Sequence, residues 1–437
     1  MAELRPFRGV RYNESVVGDL AAVICPPYDI ISPSDAQALY HKSEYNFVRL
    51  DYGRILPPGA DVEEKHTNAA AILDEWFTKG VLRRDEKPAI YLHHHTFAFQ
   101  DNSYCRRSLT AAVRLADWNQ GIILPHEATR KRDRSDRLNL LWAISANTSP
   151  ILTLFEDGGE IAPLLAAAAG EPPLASLVGD DESRHEMWAI NDPEVINRIA
   201  AALAGRPLYI ADGHHRYESA LNYQRERQIC AGTTTGDEDF NFVMMNLVDF
   251  ADPGLIVFSP HRLLRGISRA ALNDFYPKLA ALFEIEVLPL EVPDFWQQLD
   301  FQLATDNTNE VRFIMLGLDA KRFHVLRLRD STAADQMMPR FHGELYSKLA
   351  VSILDDVIIG KMLGLTSDSE EGVLAFDHDK RDTVEKVLGH EYQLGFLLGP
   401  IDAGLVKKMA DGGERMPRKS TYFHPKPPSG LVFRRID

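Results

Sequence analysis

The chain has 437 residues, with 48 Lys and Arg against 63 Asp and Glu, a formal charge of −15, and 45% apolar residues. That length exceeds one ordinary core and excludes a peptide-sized module, while the acidity opposes non-specific binding to a phosphate backbone, which needs many cations on one face. No run approaches the roughly 18 apolar residues of a membrane span, the start Met1-Ala2-Glu3-Leu4-Arg5-Pro6-Phe7 has no apolar signal core, and Cys25, Cys105 and Cys230 are too scattered for a disulfide framework or zinc ribbon, so a cytoplasmic protein with no membrane partner is expected.

Residues 22–31 (AVICPPYDII) predict a short buried strand ending in a Pro-Pro turn, and Ser32-Pro33-Ser34 caps a helix over 35–41. A helix over 61–80 follows from the spacing of Ala71, Leu73, Trp76 and Phe77 and from the stop at Gly80. Strands are expected at 89–99 and 108–115, joined by a hairpin across 100–107. A charged stretch at 121–137 precedes an apolar one through 149–155. Residues 161–170 read as a helix and 179–186 as a loop. The helix over 191–203 has Asp192-Pro193-Glu194 at its start and Gly205 as its stop. Then come a buried strand at 207–211, a turn at 212–215 and a helix at 216–228. Two strand-like runs occupy 240–258. Residues 266–330 alternate helix and strand and read as a separable α/β lobe. Beyond it are a helix at 344–363, a strand at 372–376, a helix at 381–389, a strand at 395–398 and a tail dense in Lys, Pro, Tyr and Phe. The fold class is mixed α/β (α+β), divided into a core at 1–265, a lobe at 266–340 and a C-terminal segment at 341–437. The composition sets no oligomeric state.

Three segments concentrate the chemistry. In Asp212-Gly213-His214-His215-Arg216, followed by Tyr217 and Glu218, the glycine permits a tight turn and the new helix offers N–H groups and a favourable dipole to an anion, with phosphate the natural guest. Two imidazoles, a guanidinium and two carboxylates can divide phosphate binding, metal positioning and proton acceptance. A capping Asp212 with histidines on loop carbonyls would explain the same residues without a ligand. In the segment from Pro125 to Arg134, His126 and Glu127 offer an acid/base or metal pair and Arg130, Lys131 and Arg134 offer charge neutralisation, against the plainer reading of a solvated loop. In the segment from Arg415 to Lys426, Lys419, Ser420, Thr421 and Lys426 can reach a polyphosphate, or the tail can pair with the acidic body. No glycine precedes Lys419, so this is not a Walker A site. His93-His94-His95 puts its first and third imidazoles on one strand face, suited to a metal or to sheet packing. Asp377-His378-Asp379 is explained by capping, and Cys25-Pro26-Pro27-Tyr28-Asp29 can hold Asp29 in a cleft.

Together, Pro26-Pro27-Tyr28-Asp29-Ile30-Ile31-Ser32, Pro125-His126-Glu127 with Thr129, the stretch 211–218 and the stretch 416–431 resemble a prokaryotic family of unknown function, DUF1015. Arg418 and His424 depart from its pattern. Over the DGHHR turn alone the chain is similar to the ParB and sulfiredoxin-like superfamily, which includes nucleotide-using enzymes and free-serine kinases. That resemblance implies a ParB/sulfiredoxin-like core, a nucleotide site at 213–216 with ATP or ADP and magnesium (Mg2+), and Asp212 orienting an acceptor hydroxyl. The family's association with serine biosynthesis implies serine or phosphoserine as ligand.

The leading expectation is a phosphotransferase acting on a small hydroxyl metabolite, with free serine as the suspected acceptor. Asp212, His214, His215 and Glu218 form the expected catalytic group. Gly213, Arg216, His126, Arg130, Lys419, Ser420, Thr421 and Lys426 would bind phosphate or nucleotide, and Tyr28, Asp29 and Glu127 the substrate. The alternatives are a phosphoserine phosphatase, a metabolite-binding protein without turnover, and a nucleotide-sensing or nucleic-acid-binding regulator, though nucleic acid is not expected as a partner of so acidic a chain.

Overall fold

The computed structural model describes residues 1–53, 62–100, 102–129, 131–304, 310–365 and 373–436, with the side chains of 62–65 and 131–134 left aside. The chain forms two units. Met1–Pro125, Thr129–Ile256 and Pro425–Asp437 make the first, and His126–Ala128 with Val257–His424 the second. It is a mixed α/β protein, as the element pattern predicts. Among the described residues no helix is long and apolar enough to cross a membrane.

The first unit is built on a sheet of nine described strands: β1 (Leu4–Arg5), β2 (Ile90–Phe99), β3 (Asn102–Arg114), β4 (Ile123–Leu124), β5 (Ile151–Phe155), β6 (Ala175–Val178), β7 (Arg184–Ile190), β8 (Leu208–Asp212) and β9 (Phe242–Asp249). Their order is β4-β8-β5-β9-β3-β2-β7-β6, with β1 on β3. Among its helices are α1 (Val62–Thr78), α2 (Lys131–Ile144), α3 (Ala162–Ala168), α4 (Pro193–Ala204) and α5 (His214–Ala231). One sheet face packs Ile90, Leu92, Val243 and Leu247 against Ile196, Ile199 and Leu203 of α4. The other packs Tyr91, Met187 and Met244 against Leu73, Trp76, Leu140 and Ile144 of α1 and α2. Because both faces are covered, the central strands are continuous apolar runs: in β8 only the final residue, Asp212, is not buried.

Several details differ from the expected elements. In place of the expected strand over 22–31 stand a helix over Leu20–Val23, a single bridge at Cys25 and a 3-10 turn over Tyr28–Ile30. The hairpin between β2 and β3 is far tighter than 100–107, because the pairing continues to Phe99↔Asn102. Part of the expected loop at 179–186 is strand: Arg184 to Ile190 pairs with β2 throughout, and its alternation was masked by polar residues that the sheet buries. The last residues return to the first unit. Ser429 pairs with Cys25, Phe433 with Val10, and Arg434–Arg435 with Ala146–Asn147.

The second unit is built on a sheet of six described strands, β10 (His261–Leu264), β11 (Phe283–Pro289), β12 (Arg312–Asp319), β13 (Arg322–Leu328), β14 (Leu374–Asp377) and β15 (Leu394–Leu397), in the order β11-β13-β12-β15-β10-β14. Residues 266–340 and 341–424, separated in the sequence reading, share one core here, in which Phe275, Phe283 and Phe313 pack with Leu354, Ile358, Phe396 and Met409. The expected helix at 344–363 is broken. Leu349 is extended, and Ile353–Met362 winds as a π-helix. Ala403–Asp411, which no sequence signal marked, is a helix capped by the Asp402 carboxylate.

Candidate functional site

The DGHHR segment stands where β8 ends and α5 begins. Asp212 closes the strand, Gly213 makes the turn at φ 97°, and the helix starts at His214, two residues earlier than its apolar pattern suggests. A side chain at 213 would be strained at that φ, and a Cβ there would lie 2.9 Å from Nε of Arg216. The N-cap residue of α5, Gly213, has no side chain to cap it, and the helix presents its positive end to the turn.

Asp212 is doubly paired. Nη2 of Arg216 donates to its Oδ2 at 2.8 Å, and Nζ of Lys426 donates to its Oδ1 at 3.0 Å. Lys426 also donates to Oδ2 of Asp29. The tail therefore reaches the DGHHR turn and the PPYD turn through one lysine, whose side chain is only 4% exposed. Burial alone would depress the Lys426 ammonium, but the Asp212 and Asp29 carboxylates outweigh it and hold its pKa above the ordinary lysine value. Arg216 is likewise held above the usual arginine value, with burial outweighed by Asp212, Tyr28, Asp29 and Asp51. Two polar atoms of this cluster are buried without a hydrogen-bond partner, Oδ1 of Asp29 and Nε of Arg216.

A second layer fixes these groups. The Arg137 guanidinium lies 3.9 Å from the ring centre of Tyr28 and donates to the Asp51 carbonyl at 2.8 Å. Burial is the main cause that lifts the Tyr28 hydroxyl to a pKa of about 12. The Asp51 carboxylate, itself fully buried, accepts from Thr148 at 2.7 Å and from Ser429 at 2.8 Å. Arg137, Thr148, Ser149 and Arg216 line a common cavity. The sequence reading missed Asp51, Arg137, Thr148 and Ser429. The nearest available signal was the polar run Asn147-Thr148-Ser149 ahead of an apolar strand. Glu218 accepts from Thr129 at 2.7 Å, and His214 is buried at the start of α5. The His215 carbonyl accepts from Ser219.

Of the other flagged residues, His126, Glu127, Lys419, Ser420 and Thr421 belong to the second unit. Oε1 of Glu127 accepts from the Ser420 and Thr421 amides at 3.0 and 3.1 Å and from the Thr421 hydroxyl at 3.1 Å. His126 is fully buried, with Nε2 2.9 Å from that same hydroxyl. Lys419 takes a left-handed turn at φ 56°, and its carbonyl accepts from Arg262, which grips Asp355 through two 2.9 Å bonds. The Ser420 and Thr421 amides and the Thr421 hydroxyl thus donate to Glu127, and the Ser420 hydroxyl donates to the Pro417 carbonyl. Arg130 lies outside the described residues.

His93 and His95 share a face of β2, opposite His185, with Nε2 of His93 3.1 Å from Nδ1 of His185. Among the described residues no three His, Cys, Asp or Glu side chains are grouped to hold a metal ion. Burial is the main cause that depresses the His93 and His185 imidazoles, with the Arg106 guanidinium adding to it, and that of His185 falls to about 4.

Comparison with solved structures finds similarity to a conserved hypothetical protein from Pyrococcus furiosus, at 14% identity and a TM-score of 0.36 over 74% of this chain and 94% of that one. A free serine kinase in complex with AMP is similar at 12% identity and a TM-score of 0.34, over 72% and 86%. SbnI with a C-terminal truncation from Staphylococcus aureus is similar at 11% identity and a TM-score of 0.34, over 72% and 82%. No curated protein matches the chain. Residues 4–352, most of the sequence, match the family described as "Protein of unknown function (DUF1015)", and the chain belongs to that family.

Proposed function

We propose that the first unit is a phosphotransferase that passes a phosphoryl group from ATP or ADP to the hydroxyl of a small metabolite, with free serine the first acceptor to try. The observation that carries this reading is the Asp29–Lys426–Asp212–Arg216 chain at the start of α5, with an unpartnered carboxylate oxygen at one end and an unpartnered guanidinium N–H at the other. Phosphoryl transfer asks a protein for positioning and charge neutralisation more than for covalent chemistry. A buried ammonium, a fixed guanidinium and a helix N-terminus supply both.

The charges of the cluster bear on the cofactor. Two carboxylates and two cations cancel, so a polyphosphate enters most favourably with its own counter-cation. Mg2+ uses one or two carboxylates together with phosphate oxygens and water, and the spare Oδ1 of Asp29 beside Asp212 fits that need. Bound there, the ion would offset charge on the transferring phosphoryl group. Lys426 and Arg216 bind phosphate oxygens, and Asp212, released as Lys426 turns to the phosphate, accepts the acceptor's hydroxyl proton. The hydroxyl oxygen forms the new P–O bond, and the nucleotide leaves with the electron pair of the old one. Glu218, held by Thr129, positions the loop. Glu127, Ser420 and Thr421 satisfy one another and are assigned no contact with the phosphate.

The ParB-like regulator reading is disfavoured because Arg216 spends its guanidinium inward on Asp212 and the Pro150 carbonyl. The test is to mix the purified chain with ATP or ADP, Mg2+ and a panel of hydroxyl amino acids and to assay phosphorylated product by mass. Asp212→Asn is expected to lower turnover by about 10²–10⁴-fold while nucleotide affinity stays within a few fold. Phosphate released from phosphoserine without nucleotide would favour the phosphatase, and no product with any acceptor would remove the kinase.

A further inference from the structure

A second cationic cavity lies in the first unit, and its residues are separate from the cluster just described. Arg5, Arg8, Arg84, Arg434 and Arg435 line a space of about 190 Å³, with Asp239 as the carboxylate on its wall. In a chain with fifteen more acidic than basic residues, five guanidiniums around one cavity run against the composition. Strand pairing assembles them. Val10–Tyr12 pairs with Leu82–Arg84, and Val10 also pairs with Phe433, so three segments distant in sequence meet there.

Two of the five are held in ion pairs with described carboxylates. Arg434 donates to Asp239 at 2.9 Å and to the Phe242 carbonyl at 3.1 Å. Arg5 pairs with Glu3 and Asp237 and lies 4.3 Å from the ring centre of Phe242, whose ring also takes Arg114 at 4.5 Å. These contacts fix the cavity wall. The Asp85 carboxylate, next to Arg84 in sequence, is already taken by Arg11 at 2.6 Å and by the Tyr91 hydroxyl at 2.7 Å. Arg8 is held instead by a neutral group, donating through Nε to the Asp85 carbonyl at 2.8 Å. Arg435 lies 5.4 Å from the ring centre of Phe77, and its Nε is buried without a hydrogen-bond partner. Neither Arg8 nor Arg435 makes an ion pair with a described carboxylate.

Guanidiniums gathered by carbonyls and rings, with their charge left over, are arranged for an incoming oxyanion, which an arginine fork can take through two parallel bonds. The space is far larger than one water needs and smaller than a drug-sized pocket, so the guest is small. We propose that this cavity is a second binding site, specific for a small phosphate-bearing anion of the size of pyrophosphate. The proposal stands whether or not the Asp212 cluster is catalytic.

The test is hydrogen exchange on the full chain with pyrophosphate as the probe. Slowed exchange is expected at residues 5–12, 82–85 and 433–436, and Arg8→Ala and Arg435→Gln should each weaken the half-saturating concentration about tenfold or more. Arg8 is exposed, so its variant should fold even if the Arg435 variant does not. Protection confined to 212–218 and 426, protection unchanged in both variants, or an equal effect from sodium chloride at matched ionic strength would overturn the proposal. Equally tight binding of malonate would overturn the phosphate class.

Discussion

The two ionisable clusters flagged by the sequence end differently. Around Asp212 the groups pair yet leave something over. Lys426 is shared between two carboxylates, while Oδ1 of Asp29 and Nε of Arg216 are buried without partners. Around Glu127 the groups close on themselves. One carboxylate oxygen takes two amides and a hydroxyl, and His126 meets that same hydroxyl. Buried polar groups are costly unless satisfied, so on the proposed reading the unsatisfied remainder is where a ligand binds and the closed set is a structural clamp. Density of charge along the sequence was the same in both and did not separate them.

The largest expected effect that can break this contrast comes from Lys426→Met. Removing the shared cation leaves Asp29 and Asp212 facing each other and takes a phosphate clamp away. Breaking a buried pair in this way costs about 3–5 kcal/mol of stability, and loss of a charge-stabilising donor costs about 10²–10³ in turnover. Thermal melting and the phosphotransfer assay read the two separately. A variant that melts and turns over like the parent would place the function elsewhere.

Much of the first cluster was legible because its residues announce themselves locally. A short apolar strand, a glycine and a polar helix start predict the β8–α5 turn, and Tyr28, Asp29 and Lys426 each sit in a motif that resembles the family. The support was not legible. Asp51 and Arg137 lie in helices with no motif, and what joins them to Thr148 and Ser429 is tertiary pairing across the whole sequence. The same reason hid β7, since a run such as RHEMWAI looks like a loop until β2 and β6 bury it on both sides. In the second cluster, the sequence offers His126 and Glu127 as an acid/base or metal pair or as part of a solvated loop, because no spacing rule tells that residues nearly three hundred positions away bond to them.

Acid tests whether the first cluster fails by itself or through the sheet beneath it. His185, depressed to about 4 chiefly by burial, is neutral in the folded chain and gains a proton on unfolding near 6.5. Stability is therefore full above about 6.5 and falls as the pH drops toward 4, by about 3 kcal/mol for this one imidazole, with His93 adding in the same direction. Lys426 and Arg216, both held above their ordinary values, remain charged throughout this window. Activity should accordingly fall together with the fluorescence of Trp188, whose ring lies 4.7 Å from that of His94. Activity lost while Trp188 is unchanged would move the decisive ionisation into the cluster.

Glu127→Gln gives the smallest effect and the sharpest separation. The amide keeps an acceptor for the Ser420 and Thr421 donors but loses the charge that strengthens those bonds, and its NH₂ group brings a donor into a place built for acceptors. The expected cost is about 1–3 kcal/mol, seen as earlier melting, with kcat and KM of phosphotransfer within twofold of the parent because the carboxylate serves the 416–421 loop and not the phosphate. The opposite outcome, unchanged melting with kcat reduced tenfold or more, would bring Glu127 and its loop into the chemistry. The closed cluster would then have to open during turnover, and the distinction between a satisfied clamp and an unsatisfied site would fail for this protein.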